Sequence, residues 1–320
     1  MSSQKILALL VPFVAALFAG APASAQDLVR VGIGGQGALE SSPAELGEAA
    51  GFFKKHGVKV EAIYTAGSGE SMQGLISGAF DVAAGIGTGS AMGAYAKGAP
   101  LRVIGAAITG SNDLFWYVRA DSPIKAIGDL AGKTVGYSTA GSSSQAAVLG
   151  IRDFFKVDLK PVATGSPQTT FTQVMSNQVD AGWSSGATFL EAVEDGRTRI
   201  IARGSALPYL QAQTPRLLVA NTRVFTERRD VLLRFMQGYR ETIDWLYTNP
   251  EGVKAFAKWS GFPQTIAIKA RDEIYRDRAI DSDRIIGLEA AMEDAIKFKF
   301  LAAPLSKEQL AELFHAPFVK

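Results

Sequence analysis

Cysteine is absent from all 320 positions, and histidine occurs only twice, at His56 and His315. The first absence excludes disulfides, thiolate metal sites and cysteine nucleophiles. The second leaves any imidazole-based acid–base centre or metal site with one of two residues. No run of lysine or arginine exceeds two, and the formal net charge is +2. There is therefore no electrostatic footprint for nucleic acid. Beyond the first 25 residues no apolar run is long enough to read as a membrane span. Nothing in the pattern calls for a metal or a cofactor, and a monomer is expected.

What is present is the composition of a globular protein, 47% hydrophobic and 20% charged. The length exceeds what one core holds comfortably, which points to two lobes. Residues 1–25 have the form of an export signal. Lys5 supplies the positive start, residues 6–18 an apolar stretch too short to span a bilayer, and Ala23-Ser24-Ala25 an A-x-A cleavage site. No cysteine follows the apolar stretch, so a lipid-anchored form is excluded. The expected mature chain begins at Gln26 and is exported.

The chain then reads twice in the same order, from Gly34 and again from Gly136. In each copy a small-residue loop leads into a helix carrying Leu-Gly (46–47, 149–150) and ending in Phe-Phe-Lys (52–54, 154–156). An alternating strand follows (58–63, 159–162), then Gly-Ser (67–68, 165–166) and a second helix that ends before Asp81 or Asp180. A short apolar strand, a small-residue turn (87–90, 184–186), a third helix and a last strand complete the copy. Strands alternating with helices imply parallel βαβ units, and two copies imply two similar α/β lobes. The strand at 114–119 and the one within 214–225 read as crossovers. This places lobe 1 at 27–118 plus 221–320 and lobe 2 at 119–220, with a two-strand hinge.

In open α/β sheets ligands bind beyond the carboxyl ends of the strands. Here those ends are the loops 34–42, 65–70, 87–90, 137–145, 164–168 and 183–187, all rich in Gly, Ser or Thr. Most precede helices, whose free N–H groups and positive dipole ends suit anions. "TAGSSSQ" (139–145) reads as one anion-facing wall, with plain N-capping by a serine as the simpler alternative. "GIGGQG" (32–37) matches a dinucleotide fingerprint, but the helix start falls at Ser41-Ser42-Pro43, which strands Gly37 in the loop. "GWSSG" (182–186) matches a hydrolase elbow with Ser184 as nucleophile. The only histidine after it is His315, five residues from the C-terminus. On the alternative reading Trp183 stacks on or covers a ligand while Ser184 and Ser185 donate hydrogen bonds, or Trp183 packs in the lobe core. Arg102, Arg119 and Arg199 are candidate counter-charges, with surface placement as the default.

Three stretches, "ELGEAAGFFKKHGVKVEAIYTAGSGESMQGLISGAFDVAAG", "GAPLRVIGA" and "DLAGKTVGYSTAGSS", resemble the periplasmic substrate-binding proteins of ABC importers. Within them the chain is most similar to the sulfonate, taurine, nitrate and thiamine-precursor group, over most of residues 28–260. The resemblance implies a two-lobed periplasmic-binding-protein fold of type II, each lobe a mostly parallel sheet flanked by helices. It implies hinge closure on a small organic anion (a sulfonate, a carboxylate or a heterocyclic or aromatic acid) and delivery to an ABC permease and its ATPase. Together with the loop positions it makes Gln36, Ser41, Thr88, Ser90, Thr139, Gly141, Ser142, Ser143, Trp183 and Ser184 the candidate ligand-binding residues. None is expected to be catalytic. Related thiamine-pyrimidine synthases use histidine and cysteine, and this chain has no cysteine. "GWSSG" departs from the acidic or aromatic-proline patterns of the group, and Trp183 leaves room for an aromatic or heterocyclic ligand.

Overall fold

A computed structural model describes residues 26–314; the proposed signal segment and His315 lie outside the described residues. The first half begins β1 (Asp27–Ile33), α1 (Pro43–Ala50), α2 (Phe52–Lys55), β2 (Val58–Tyr64), α3 (Ser68–Ser77), β3 (Val82–Gly87), α4 (Thr88–Ala96) and β4 (Leu101–Ile108). The second runs β5 (Leu114–Arg119), β6 (Thr134–Tyr137), α5 (Ser143–Phe154), β7 (Lys160–Ala163), α6 (Pro167–Met175), β8 (Gly182–Ser185), α7 (Leu190–Glu194), β9 (Thr198–Arg203) and α8 (Pro208–Gln211). Then come β10 (Arg216–Asn221), α9 (Thr222–Glu227), α10 (Arg229–Thr248), α11 (Pro250–Ser260), α12 (Gln264–Lys269), α13 (Leu288–Lys297) and α14 (Lys307–Leu313).

The larger sheet has the order β2-β1-β3-β10-β4, with β10 the antiparallel member. In the other half β8-β5-β9 and β6-β7 are joined by a parallel bridge between Val135 and Ala181. The resulting order, β7-β6-β8-β5-β9, repeats the first sheet, with β5 antiparallel to both its neighbours. Each sheet therefore takes in the strand that follows the other copy. Strand 114–119, placed mostly in lobe 1 by the sequence, pairs in the second sheet, and 216–221, placed mostly in lobe 2, pairs in the first. Both runs are almost wholly buried. A strand covered on two faces carries the same apolar pattern whichever sheet it joins. The chain crosses between the sheets at 109–113 and 212–215.

The repeat extends to single hydrogen bonds. The Asp81 carboxylate accepts from Arg30 N at 2.8 Å and the Asp180 carboxylate from Thr134 N at 2.8 Å, each tying the third strand of its copy to the first. Thr65 N donates to Ile33 O at 2.8 Å and Thr164 N to Tyr137 O at 2.8 Å. The hydroxyl of Thr65 lies 2.7 Å from that of Ser71, and that of Thr164 lies 2.7 Å from that of Thr170.

The copies differ where local geometry intervenes. Gly51, at φ 82°, ends α1 before Phe52-Phe53-Lys54, which begin a separate short helix, whereas α5 runs unbroken to Phe154. Phe189, at φ 66°, delays the third helix of the second copy until Leu190, so Ser184 and Ser185 stay in strand β8. The main core packs the first sheet against α10 around Phe53, Phe235 and Tyr239, and reaches Phe115 and Tyr117 of the second sheet. A separate core around Trp116, Val148 and Ile151 stabilises the second lobe.

Candidate functional site

The two lobes touch. Gly69 N donates to Thr139 Oγ1 at 3.0 Å, Lys297 Nζ pairs with Asp153 at 3.2 Å and Lys269 with Glu194 at 3.5 Å. Between them lies a cleft. Its wall comes from the carboxyl ends of the strands: 34–36, 40–41, 67–68 and 84–85 from one lobe, and 138, 142–144, 167, 183, 185 and 188 from the other. Arg216, at the start of β10, and Leu114, at the start of β5, line it as well.

Three helices start at this wall. Gly67 and Ser68 open α3, Ser142 to Ser144 open α5 and Pro167 opens α6. First-turn N–H groups have no partner within their own helix, and the helix dipole makes that end positive. In α5 the three serines divide the work. Ser142 Oγ accepts from Gln145 N at 3.1 Å and so caps the helix. Ser144 Oγ accepts from Ser138 N at 3.0 Å, tying the loop to the end of β6. Among the described residues no bond to the Ser143 hydroxyl is found, nor to the N–H groups of Ser143 and Ser144.

Two further donors face nothing. Trp183 lines the cleft at 7% exposure and its Nε1 is buried without an acceptor; Arg216 lines it too, and its Nε is equally unpaired. Unpaired buried donors are destabilising, so an acceptor brought to these two would be favoured. Trp183 also packs in the core of its lobe, so it is both a cleft wall and a core residue. Side chains alternate across a strand. Trp183 and Ser185 therefore face the cleft, while Ser184 points away, is fully buried and donates to Thr188 O at 2.8 Å.

Arg216 is held by two acids. Its Nη1 donates to Glu40 and its Nη2 to Asp113, and the Tyr275 hydroxyl donates to the other oxygen of Glu40. Burial drives the Glu40 carboxyl above its ordinary range, against the opposing pull of Arg216. Burial alone would weaken the proton's hold on Arg216, but Asp113 and Glu40 more than reverse that.

Of the sequence candidates, Gln36, Ser41, Ser142, Ser143 and Trp183 line the cleft. Gln36 Nε2 also reaches Trp259 O at 3.0 Å. Thr88 and Gly141 instead line an adjoining pocket against Phe298 and Phe300, which shares Ser142 and Ser143 with the cleft. Thr88 Oγ1 is occupied by Thr214 O at 2.5 Å. Thr139 bridges the lobes, and Ser90 lies under Gly141, whose added Cβ would stand 2.6 Å from the Ser90 oxygen. The candidate arginines are engaged elsewhere: Arg102 with Glu312, Arg119 with Asp121, and Arg199 with the carbonyls of Ala120, Ser122 and Ile124. Sequence reasoning missed Arg216, Glu40 and Thr188, and of the two serines it offered as donors beside Trp183 it is Ser185 that lines the cleft. Arg216 carried a signal, an arginine after Pro215 opening an otherwise apolar strand, which is unfavourable unless the charge is paired.

Similar structures share this architecture. The alkanesulfonate-binding protein SsuA from Xanthomonas axonopodis pv. citri, bound to MOPS, is 19% identical with a TM-score of 0.74, over 93% of this chain and 99% of that one. The periplasmic nitrate-binding protein NrtA from Synechocystis PCC 6803 is 15% identical with a TM-score of 0.67, over 89% and 84%. A desulfurization enzyme, DSZB, is 14% identical with a TM-score of 0.60, over 92% and 97%. No curated protein sequence matches the chain. At these identities the likeness speaks for the fold, that of the periplasmic binding proteins. Among the described residues no helix is long and apolar enough to cross a membrane. The NMT1/THI5-like family profile matches residues 40–253, from the acid that holds Arg216 through both lobes and into α11, and the chain belongs to that family.

Proposed function

We propose that the chain is an exported solute receptor that captures a small organic anion between its lobes and delivers it to an ABC permease powered by an ATPase. The lobes would be 27–112 plus 214–314 and 113–213, acting as a monomer without a cofactor. One observation carries the reading: three helix N-termini and two residues with buried, acceptor-less N–H groups, Trp183 and Arg216, line a single cleft. Such a wall has donors in excess and suits an acceptor-rich, negatively charged group. Leu114, Ala84, Ala38 and the Trp183 ring supply an apolar side for an organic body. A ligand touching both walls gains its full contacts only when the lobes are together, so it shifts the population to that state.

The reading as a binding protein, not an enzyme, draws support from Ser184. A nucleophile must be reachable, and this hydroxyl is fully buried and spent on Thr188 O. The serine-hydrolase alternative needs Ser184 free, and the thiamine-pyrimidine alternative needs a cysteine that the chain lacks.

The decisive experiment is native mass spectrometry of protein purified from its own cell envelope, followed by titration calorimetry of the anion that co-purifies. A co-purifying cation, or stabilisation by cationic solutes alone, overturns the anion reading. N-terminal sequencing of the same material should begin at Gln26, and an intact Met1 in a membrane fraction overturns export.

A further inference from the structure

At the cleft one guanidinium answers two carboxylates. Glu40, Asp113 and Arg216 are 4%, 0% and 7% exposed, and Arg216 bonds both acids through its two terminal nitrogens. With both acids ionised the cluster carries one surplus negative charge. The remaining groups that face Glu40 are the hydroxyls of Tyr275 and, farther off, Tyr239 and Tyr247; none is cationic. Yet Arg216 Nε, the donor left over, belongs to a residue of the cleft wall. An anion that took it would set a second surplus negative charge beside the first, where burial makes repulsion strong.

Resting on the anion reading above, we propose that the cleft binds a monoanion together with one proton, which Glu40 takes up as the anion engages Arg216 Nε. The proton comes from solvent, so no protein group loses one. Glu40 is the acid that lines the cleft, whereas Asp113 does not. Its second oxygen already faces the Tyr275 hydroxyl, which can turn from donor to acceptor and keep a protonated carboxyl partnered. Burial has raised the affinity of Glu40 for a proton before any ligand arrives. The pairing also sets specificity: a dianion would need a second proton, and the acid left to take it, Asp113, does not line the cleft.

Calorimetry with methanesulfonate, propane-1-sulfonate, acetate and benzoate tests this, with sulfate as the dianion. Two amine buffers of different ionisation heat, at several pH values, give the number of protons exchanged. Any probe that binds should bring up to one proton with it. Its affinity should fall as pH rises, approaching about tenfold per pH unit above the free-state value of Glu40. Glu40→Gln should bind with no proton uptake and little pH dependence, and sulfate should bind more weakly than the monoanions. Binding to wild type without proton uptake overturns this inference and leaves the anion reading standing. Uptake that survives in Glu40→Gln also overturns it. Binding of none of the anions removes both. Infrared difference spectra of the wild type decide the matter if the variant does not fold: a protonated carboxyl band must grow on binding, and its absence counts against Glu40.

Discussion

The backbone of Gly87 in one lobe lies against that of Gly141 in the other: a Cβ added to Gly87 would stand 2.5 Å from the Gly141 carbonyl oxygen and 3.3 Å from Ser143 N. Gly87 has φ −57°, a value alanine adopts freely. Gly87→Ala should therefore leave each lobe intact and keep the two apart. The expected result is unchanged thermal unfolding without ligand and affinity weaker by at least about tenfold, or about 1.4 kcal/mol. Small-angle scattering should show the variant more extended at saturating ligand than the wild type.

The serines of α5 separate capping from binding. Ser142→Ala removes the cap on Gln145 N and should lower stability by about 1 kcal/mol. Ser143→Ala removes a hydroxyl with no partner among the described residues and should leave stability alone. A bond to a charged group is worth roughly 1.5–3 kcal/mol, so Ser143→Ala should weaken anion binding about tenfold to a hundredfold. Parallel unfolding and calorimetry curves check the split, and equal binding by Ser143→Ala and wild type would make the loop a cap alone.

Trp183→Phe keeps a ring in the wall and deletes the unpaired Nε1. If a ligand oxygen meets that N–H, affinity should drop by about tenfold or more. The unliganded protein should lose less stability than a core truncation normally brings, because a buried donor without a partner goes with it. Quenching of tryptophan fluorescence by the ligand should shrink in the variant.

Ser184→Ala should be silent in binding. It deletes one buried bond, to Thr188 O, and a neutral bond of this kind contributes about 1 kcal/mol. Retained affinity, a small fall in melting temperature and no wild-type labelling by a fluorophosphonate are expected. Strong labelling at Ser184 would revive the hydrolase alternative.

Asp180 gives a pH test of the repeat. Against the penalty of burial, its bonds from Thr134 N and Oγ1 hold the carboxyl below the ordinary aspartate value. The sign follows from linkage: the native state favours the ionised form. The stabilisation is therefore fully present above the unfolded value of about 3.9 and fades as pH falls through the lower folded one. Asp180→Asn should be less stable than wild type at neutral pH, and the gap should narrow in acid. Denaturant melts at neutral and strongly acid pH check it.

The twofold repeat was legible because each copy rewrites the same local grammar, Leu-Gly, Phe-Phe-Lys, Gly-Ser and Asp, and local grammar fixes where strands and helices begin. The loops at the cleft followed from the rule about strand ends. Sheet membership of 114–119 and 216–221 was not legible, because an apolar strand buried on two faces looks alike in either sheet. A turn was expected at 184–186 and would have left Ser184 accessible; a strand reaching Ser185 reverses the face, and left-handed Gly186 and Phe189 delay the helix to Leu190. Arg216 was missed because its partners at 40, 113 and 275 lie far away in sequence.

Those positions bear on the order in which the molecule forms. Glu40 precedes the first helix, Asp113 lies on the first crossing, Arg216 opens the strand that returns from the second lobe, and Tyr275 follows α12. Each pair closes a loop of many dozens of residues, and contacts of such separation form late because chain entropy is lost before they repay it. During synthesis the acids at 40 and 113 emerge well before their guanidinium, and the tyrosine comes last. The binding cleft is thus among the final parts of the fold to be completed, and a chain cut short before residue 275 would keep the second lobe's core but lack the site's tyrosine together with Ala279, Ile280, Ala295 and Leu301 of the first lobe's core.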